Sequence, residues 1–192
     1  MPATKTTPEA ILRQAWIVFH RQGYHHTSLQ QLADAAGLGK AGILHHFKSK
    51  AGVMRAVLDF AADWYQRKVL AKARGSGSVA ERLEAVLRKQ FTLVQYNENG
   101  GCFFGNTILE TGVEGPFTEE LQRFYRDWTE AITTLLSEQF PTTEARERAY
   151  RIFTDYQGSV VLFKLYQDTS HLERLIERSL TSLTIPISPH TK

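Results

Sequence analysis

The sequence predicts an all-α fold of about nine helices: an N-terminal three-helix helix-turn-helix region followed by a larger helical body. Three observations predict it. Apolar residues recur three and four apart along most of the chain, and no segment alternates with a strand's period of two. Glycine, proline and short polar cap residues break those patterns at helix-length intervals. Residues 27–47 hold two short helical patterns around one glycine turn, the spacing of a helix-turn-helix.

The elements follow in order. Pro8-Glu9 suits a first helical turn, and Ile11, Leu12, Ala15, Trp16 and Phe19 form the buried face of that helix until Gly23 stops it. Thr27 and Ser28 are both N-cap residue types, and Leu29, Leu32, Ala33 and Ala36 make the apolar stripe of a second helix. Gly37 ends it, where a left-handed residue is needed. A third helix starts at Gly39 or Lys40. Ile43 and Phe47 face inward, leaving Lys40, Ala41, Gly42, His45 and His46 outward. Ser49 caps a long helix reaching about Arg74, with Val53, Met54, Val57, Leu58, Ala61, Trp64 and Tyr65 inside. Gly75-Ser76-Gly77-Ser78 is a flexible joint before a helix over residues 79–97. After a break at 97–101 come a short apolar helix at 102–111, a second break, and a helix over 117–140 ended by Pro141. Thr142 or Thr143 caps a helix to about Asp168, and Ser170 or His171 opens the last one, to about Thr184. The expected division is residues 1–53 for the N-terminal region, 54–185 for the body and 186–192 for a loose tail with two prolines.

Composition narrows the class. At 42% hydrophobic and 22% charged the chain is an ordinary globular one, and no apolar run approaches the roughly 18 residues of a membrane span. The N-terminus lacks the apolar core of a secretory signal, and the one cysteine, Cys102, has no internal partner, so a cytoplasmic protein is expected. Residues 1–75 carry 11 Lys and Arg against four Asp and Glu, while the remainder carries 12 against 16. Five of the seven histidines precede residue 47. A basic first third on an acidic body points to a polyanion partner, and DNA binding draws most of its affinity from such a field. The exposed face of the third helix fits a major groove, with Lys40, His45 and His46 as groove contacts and Thr27, Ser28, Lys48 and Lys50 as phosphate contacts. Lys48 and Lys50 stand where a helix dipole disfavours cations, which an approaching phosphate would offset. The blander readings are two short core helices and a solvated basic face.

With those residues named, the chain resembles the TetR family of bacterial transcription regulators. Gly23-Tyr24, Thr27-Ser28-Leu29, Leu32-Ala33, Ala36-Gly37-Leu38, Lys40, His45-His46-Phe47 and Ser49-Lys50 match its N-terminal pattern in order and spacing. The resemblance implies a nine-helix homodimer that grips a palindromic operator, with the last two helices as interface and the body binding an effector. It implies no cofactor, metal or membrane. Gly39 departs from the family's usual Ser or Thr, Leu44 from its usual Tyr, and Ala41-Gly42 from its usual order of small residues, which weakens phosphate anchoring by this helix and leaves the operator sequence open.

Gly101-Cys102-Phe103-Phe104-Gly105-Asn106, followed by Leu109-Glu110, is similar to the effector-domain motif of the NemR/AcuR-like branch. That similarity implies a cysteine sensor of electrophiles or oxidants, Cys102, paired with Lys164 in the eighth helix. A thiol at a helix N-terminus near an ammonium is favoured as the reactive thiolate. The alternatives are a small buried cysteine and a snorkelling lysine. A ligand pocket is the other reading. Trp64, Tyr65, Tyr96, Phe103, Phe104, Trp128 and Tyr156 would wall it, with Asn106 and Gln157 as polar contacts, although each aromatic also fits plain core.

Leu172, Leu175, Ile176, Ser179 and Leu183 form a seam for a partner or for the subunit's own core, and Gly158-Ser159 admits a close helix. The leading expectation is a homodimeric repressor released by an effector or by modification of Cys102. One alternative is a cysteine-dependent enzyme, against which only His171 and His190 offer a base in the second half, with no motif around either. The other is a DNA-binding protein without a sensory role.

Overall fold

The computed structural model describes residues 7–96, 100–112 and 114–184, with only the backbone of Tyr96. Among them are nine α-helices and no strand: α1 Pro8–Gln22, α2 Leu29–Ala35, α3 Lys40–Phe47, α4 Lys50–Lys68, α5 Val79–Tyr96, α6 Phe103–Thr111, α7 Thr118–Leu136, α8 Thr142–Tyr166 and α9 Ser170–Ser182. A short 3-10 helix, Leu70–Arg74, follows α4. None of these helices is long and apolar enough to cross a membrane.

Local chemistry sets the helix starts. Thr7 caps α1 through its hydroxyl, which accepts from Ala10 N–H at 3.2 Å, so the cap stands one residue before the expected Pro8-Glu9 opening. Ser28 and Gln31 form a reciprocal capping box on α2. Ser78 and Glu81 repeat it on α5, and those two hydrogen bonds, from the Ser78 backbone and hydroxyl, hold the Glu81 carboxyl below its ordinary pKa. Asp168 is lowered in the same way by the backbone and hydroxyl of Ser170 at the start of α9.

Several boundaries differ from the sequence expectation. The long helix ends at Lys68, not Arg74: i→i+3 bonding tightens the chain so that Val69, Leu70 and Ala73 all turn inward before Gly75. The helix expected over 117–140 stops at Leu136, because the chain must leave the α region before Pro141. Neither Thr142 nor Thr143 caps α8; its N-cap is Pro141, which has no side-chain hydrogen bond to give. Cys102 lies just outside α6 rather than on it. The expected tail lies outside the described residues. The expected boundary at residue 53 falls inside the unbroken α4, so it marks the end of a sequence pattern rather than a break in packing.

Packing gathers the chain into two compact units. One comprises the chain up to Trp64 together with Phe103–Arg123, and the other Tyr65–Cys102 with the chain from Phe124 on. In the first unit, Ile11, Ala15 and Phe19 of α1, Leu32 and Ala33 of α2, Ile43 of α3 and Val53, Val57 and Leu58 of α4 are all buried. Trp16 is edge-on to Phe60 and Trp64 and tilted against Phe103 of α6. In the second unit α9 packs on α8 and α5. Leu172, Leu175, Ile176 and Ser179 are buried by that contact, so the expected partner seam on α9 closes onto its own subunit instead. Ser159 is buried with them, whereas Gly158 is exposed. Arg148, also buried, pairs with Glu144, donates to the Ser182 carbonyl and lies 4.0 Å over the Phe140 ring, tying the start of α8 to the end of α9.

Candidate nucleic-acid interface and thiol site

Residue Ile43, fully buried, pins α3 by its inner face. Lys40, Ala41, His45 and His46 are exposed on the outer face and Gly42 is half-buried. Gly39 caps α3 without a side-chain hydrogen bond, which leaves its first N–H groups without a hydroxyl acceptor. Lys48 adopts φ +66° at the end of α3, is exposed, and donates to the His45 carbonyl at 3.3 Å. Exposed Lys40 and Lys48 with His45 and His46 therefore stand along one short helix and its end. A duplex would meet cations and imidazoles there with small residues between them.

Two of the expected phosphate contacts turn inward in this structure. Thr27 is only 2% exposed, and its hydroxyl donates to the Gly23 carbonyl at 2.6 Å, so it closes the α1–α2 turn from inside. Lys50 turns back as well. Its ammonium donates to the carbonyls of Tyr24 (2.9 Å), Thr27 (2.9 Å) and His25 (3.4 Å), which uses all three of its donors. Ser28 remains exposed, with its hydroxyl accepting from Gln31 N–H in the capping box.

The sequence reading missed two positions in this unit. Gly52 is required because a Cβ would lie 2.0 Å from the Phe47 carbonyl oxygen. Glu110 accepts from the backbone N–H of Tyr24 at 2.8 Å and of His25 at 2.7 Å. A lone acid near the end of a short apolar helix was the available signal for Glu110, but nothing in its spacing pointed to a turn 85 residues away.

The expected effector residues separate. Trp64, Phe103, Phe104 and Asn106 fall in the first unit, where Phe103 packs against Trp16 and His20. Cys102, Trp128, Tyr156 and Lys164 fall in the second; the Tyr96 side chain lies outside the described residues. Trp128 is fully buried and edge-on to Phe153, and its indole N–H has no acceptor among the described residues. Lys164 is exposed near the end of α8.

Around buried Cys102 the second unit assembles phenols and amides. Gln157 Nε2 lies 3.9 Å from Sγ and 3.5 Å from the Tyr125 hydroxyl. Tyr156 is hydrogen-bonded with Cys102 and with Tyr65, and Tyr65 with Gln90. Gln90 is 1% exposed and its side-chain amide oxygen has no partner among the described residues. Burial, reinforced by the nearby Cys102, pushes the phenols of Tyr65, Tyr125 and Tyr156 above the ordinary range. Such a network holds the thiol by hydrogen-bond donors and presents one unsatisfied acceptor. No group of three or more potential metal ligands occurs among the described residues.

Comparison with known proteins places this geometry. Residues 11–57 match the family model for bacterial regulatory proteins of the tetR family, and residues 79–178 match that for the tetracyclin repressor-like C-terminal domain. The chain belongs to the TetR family. It is a DNA-binding transcriptional regulator and not an enzyme. Over 187 residues it is 26% identical to an uncharacterized HTH-type transcriptional regulator in the lacX 3' region of Lactococcus lactis subsp. lactis, covering 93% of each chain. A TetR transcriptional regulator from Legionella pneumophila superposes with a TM-score of 0.85 at 22% identity, covering 95% of this chain and 99% of that one. Reduced E. coli NemR superposes with a TM-score of 0.74 at 16% identity, covering 89% and 94%. At those identities the two structures share the TetR fold with this chain and carry no narrower assignment.

Proposed function

We propose that this TetR-family regulator acts as a homodimeric repressor, clamping a palindromic operator through two copies of α3 and releasing it when the second unit is modified or occupied. The outward face of α3 carries the reading: Lys40, His45 and His46 are exposed over an anchored Ile43, with Lys48 beside them. Two such heads enter successive major grooves only when held about 34 Å apart or a multiple of that, so the body can act as a switch by changing their separation.

The dimer reading rests on α8. Tyr150, Thr154, Gly158, Val161 and Leu165 are all exposed and, spaced four, four, three and four apart, form one stripe flanked by exposed Leu162 and Tyr166. A monomer leaves that surface in water; a twofold partner covers it, with α9 alongside.

Release is assigned to the Cys102 site, held by Gln157 and Tyr156. An activated alkene forms an S–C bond to Cys102 while the thiol proton passes to the neighbouring carbon. A peroxide transfers one oxygen to sulfur, giving the sulfenic acid and water or an alcohol. The unsatisfied Gln90 carbonyl among buried phenols supports the parallel route, a small uncharged effector that donates a hydrogen bond. The test is selection of bound duplexes from a random pool, repeated after iodoacetamide treatment, with wild type and Cys102→Ser. A palindrome whose binding is lost only in the treated wild type is the expected result. A selected sequence without symmetry would sink the clamp. Equal binding by treated and untreated wild type would remove Cys102 as a sensor.

A further inference from the structure

The turn that joins α1 to α2, residues 23–27, is held from two sides by opposite charges. On one side the Glu110 carboxylate accepts both the Tyr24 N–H (2.8 Å) and the His25 N–H (2.7 Å), one to each oxygen. On the other, the Lys50 ammonium donates to three carbonyls of the same turn. The Tyr24–His25 peptide group points its N–H at the anion and its C=O at the cation, so those two contacts reinforce each other. The fit is close: a Cβ on Gly23 would stand 2.8 Å from both Glu110 oxygens. Only a residue without a side chain lets the carboxylate come in this far. The Tyr24 ring also meets Phe117 edge-on at 4.8 Å, on the segment that follows α6.

We propose that Glu110 is a positioning residue for DNA binding: it fixes the attitude of the α1–α2 turn, and through the capping box at Ser28 the α2–α3 pair, to the axis of α6. The same turn leads directly into Thr27, whose hydroxyl returns to the Gly23 carbonyl, and into Ser28, which starts α2. No loose connection intervenes between the carboxylate and the reading head. α6 begins at Phe103 and rises about 1.5 Å per residue, so a displacement at its start is carried about 10 Å to Glu110 along one helix. Glu110 touches no DNA in this account and acts through backbone alone. The inference rests on the head binding DNA, and it stands whether or not Cys102 is a sensor.

The experiment uses the full-length protein as wild type, Glu110→Ala and Glu110→Gln. Amide hydrogen exchange is measured along the chain, together with affinity for the duplex recovered from the random pool. In Glu110→Ala the Tyr24 and His25 amides should exchange at least tenfold faster, α5, α8 and α9 should keep their protection, and duplex affinity should fall at least tenfold. Glu110→Gln, which keeps the shape and one acceptor oxygen, should lie between. If Glu110→Ala fails to fold, Glu110→Gln alone decides, with a smaller shift at the same two amides. Unchanged protection of Tyr24 and His25 would overturn the clamp. Faster exchange spread evenly over every helix would reduce Glu110 to a stability residue. Faster exchange at the turn with undiminished duplex affinity would overturn the positioning role while leaving DNA binding by this head intact. A wild type that retained no duplex would overturn both.

Discussion

The Lys50 ammonium lies 2.9 Å from the Tyr24 carbonyl oxygen and 4.4 Å from the centroid of the Tyr24 ring. With Thr27 and His25 it makes Lys50 a structural cation of the DNA-binding head. Hydrogen bonds to a charged group contribute about 1.5–3 kcal/mol. Lys50→Met should therefore destabilise the protein by about 2 kcal/mol in chemical denaturation. The salt dependence of duplex binding should keep its slope, since no phosphate contact is removed. Lys40→Ala and Lys48→Ala should behave the other way, with little loss of stability and a slope lower by about one each. A slope reduced by Lys50→Met would return Lys50 to the phosphate contacts that its position in the sequence suggested.

At Gly23 the backbone takes φ 80° and ψ 171°, a region that residues with a Cβ occupy only at about 1–3 kcal/mol. Ala there also drives a methyl into the Glu110 carboxylate. We expect Gly23→Ala to cost about 2–3 kcal/mol and to lower the melting temperature by roughly 5–10 °C in a chain of this size. In a Glu110→Ala background the collision is gone and only the backbone strain stays. The double variant should therefore lose less than the two single losses combined. Strict additivity in thermal denaturation would mean that the two residues do not meet in solution.

The fold was legible because its signals are local. Cap residues, glycine stops and three-four spacing act within one turn of helix, and nine helices follow from them with ends shifted by a few residues. The exposed face of α3 was legible for the same reason, since burying Ile43 orients every neighbour on an eight-residue helix. The roles of Lys50, Thr27 and Glu110 were not. A long flexible cation can reach outward to a phosphate or back to a carbonyl, and only the position of the turn across from it decides. The α9 seam shows the same limit. Leu172, Leu175 and Ile176 would look alike against a partner and against α5 and α8 of their own chain. The exposed apolar residues lie on α8, where apolar residues run around much of the helix and no single stripe stood out by its spacing.

The three phenols near Cys102 give the protein an alkaline limit. Burial raises Tyr65, Tyr125 and Tyr156 above the unfolded value of about 10, so folding favours their protonated forms. That contribution is complete below pH 10. It is lost as pH rises beyond it, because the unfolded chain then releases protons that the folded one retains. Ultraviolet titration should show these three of the seven tyrosines ionising only together with the loss of helical circular dichroism. One smooth ionisation of all seven near pH 10, with the helices intact, would contradict the buried network.

The α8 stripe can be tested at two kinds of position. Leu165 is 68% exposed and Val161 57%, so replacing either by Glu removes little packing within the chain and should leave helicity and melting of the isolated subunit nearly unchanged. If the stripe is the twofold interface, each change places like charges across the axis and strips apolar area from it. The protein should then elute as a monomer with light-scattering mass to match, and operator binding should fall by more than a hundredfold, because one head alone spans only a half-site. Gly158 supplies the sharper control. A Cβ added there meets nothing within 4 Å in its own chain, and Ala in a helix interior is more favourable than Gly by about 1 kcal/mol. Gly158→Leu should therefore be harmless to the subunit and harmful only where a partner helix passes close by. A Gly158→Leu protein that stays dimeric at nanomolar concentration, with wild-type operator affinity, would place the dimer interface elsewhere.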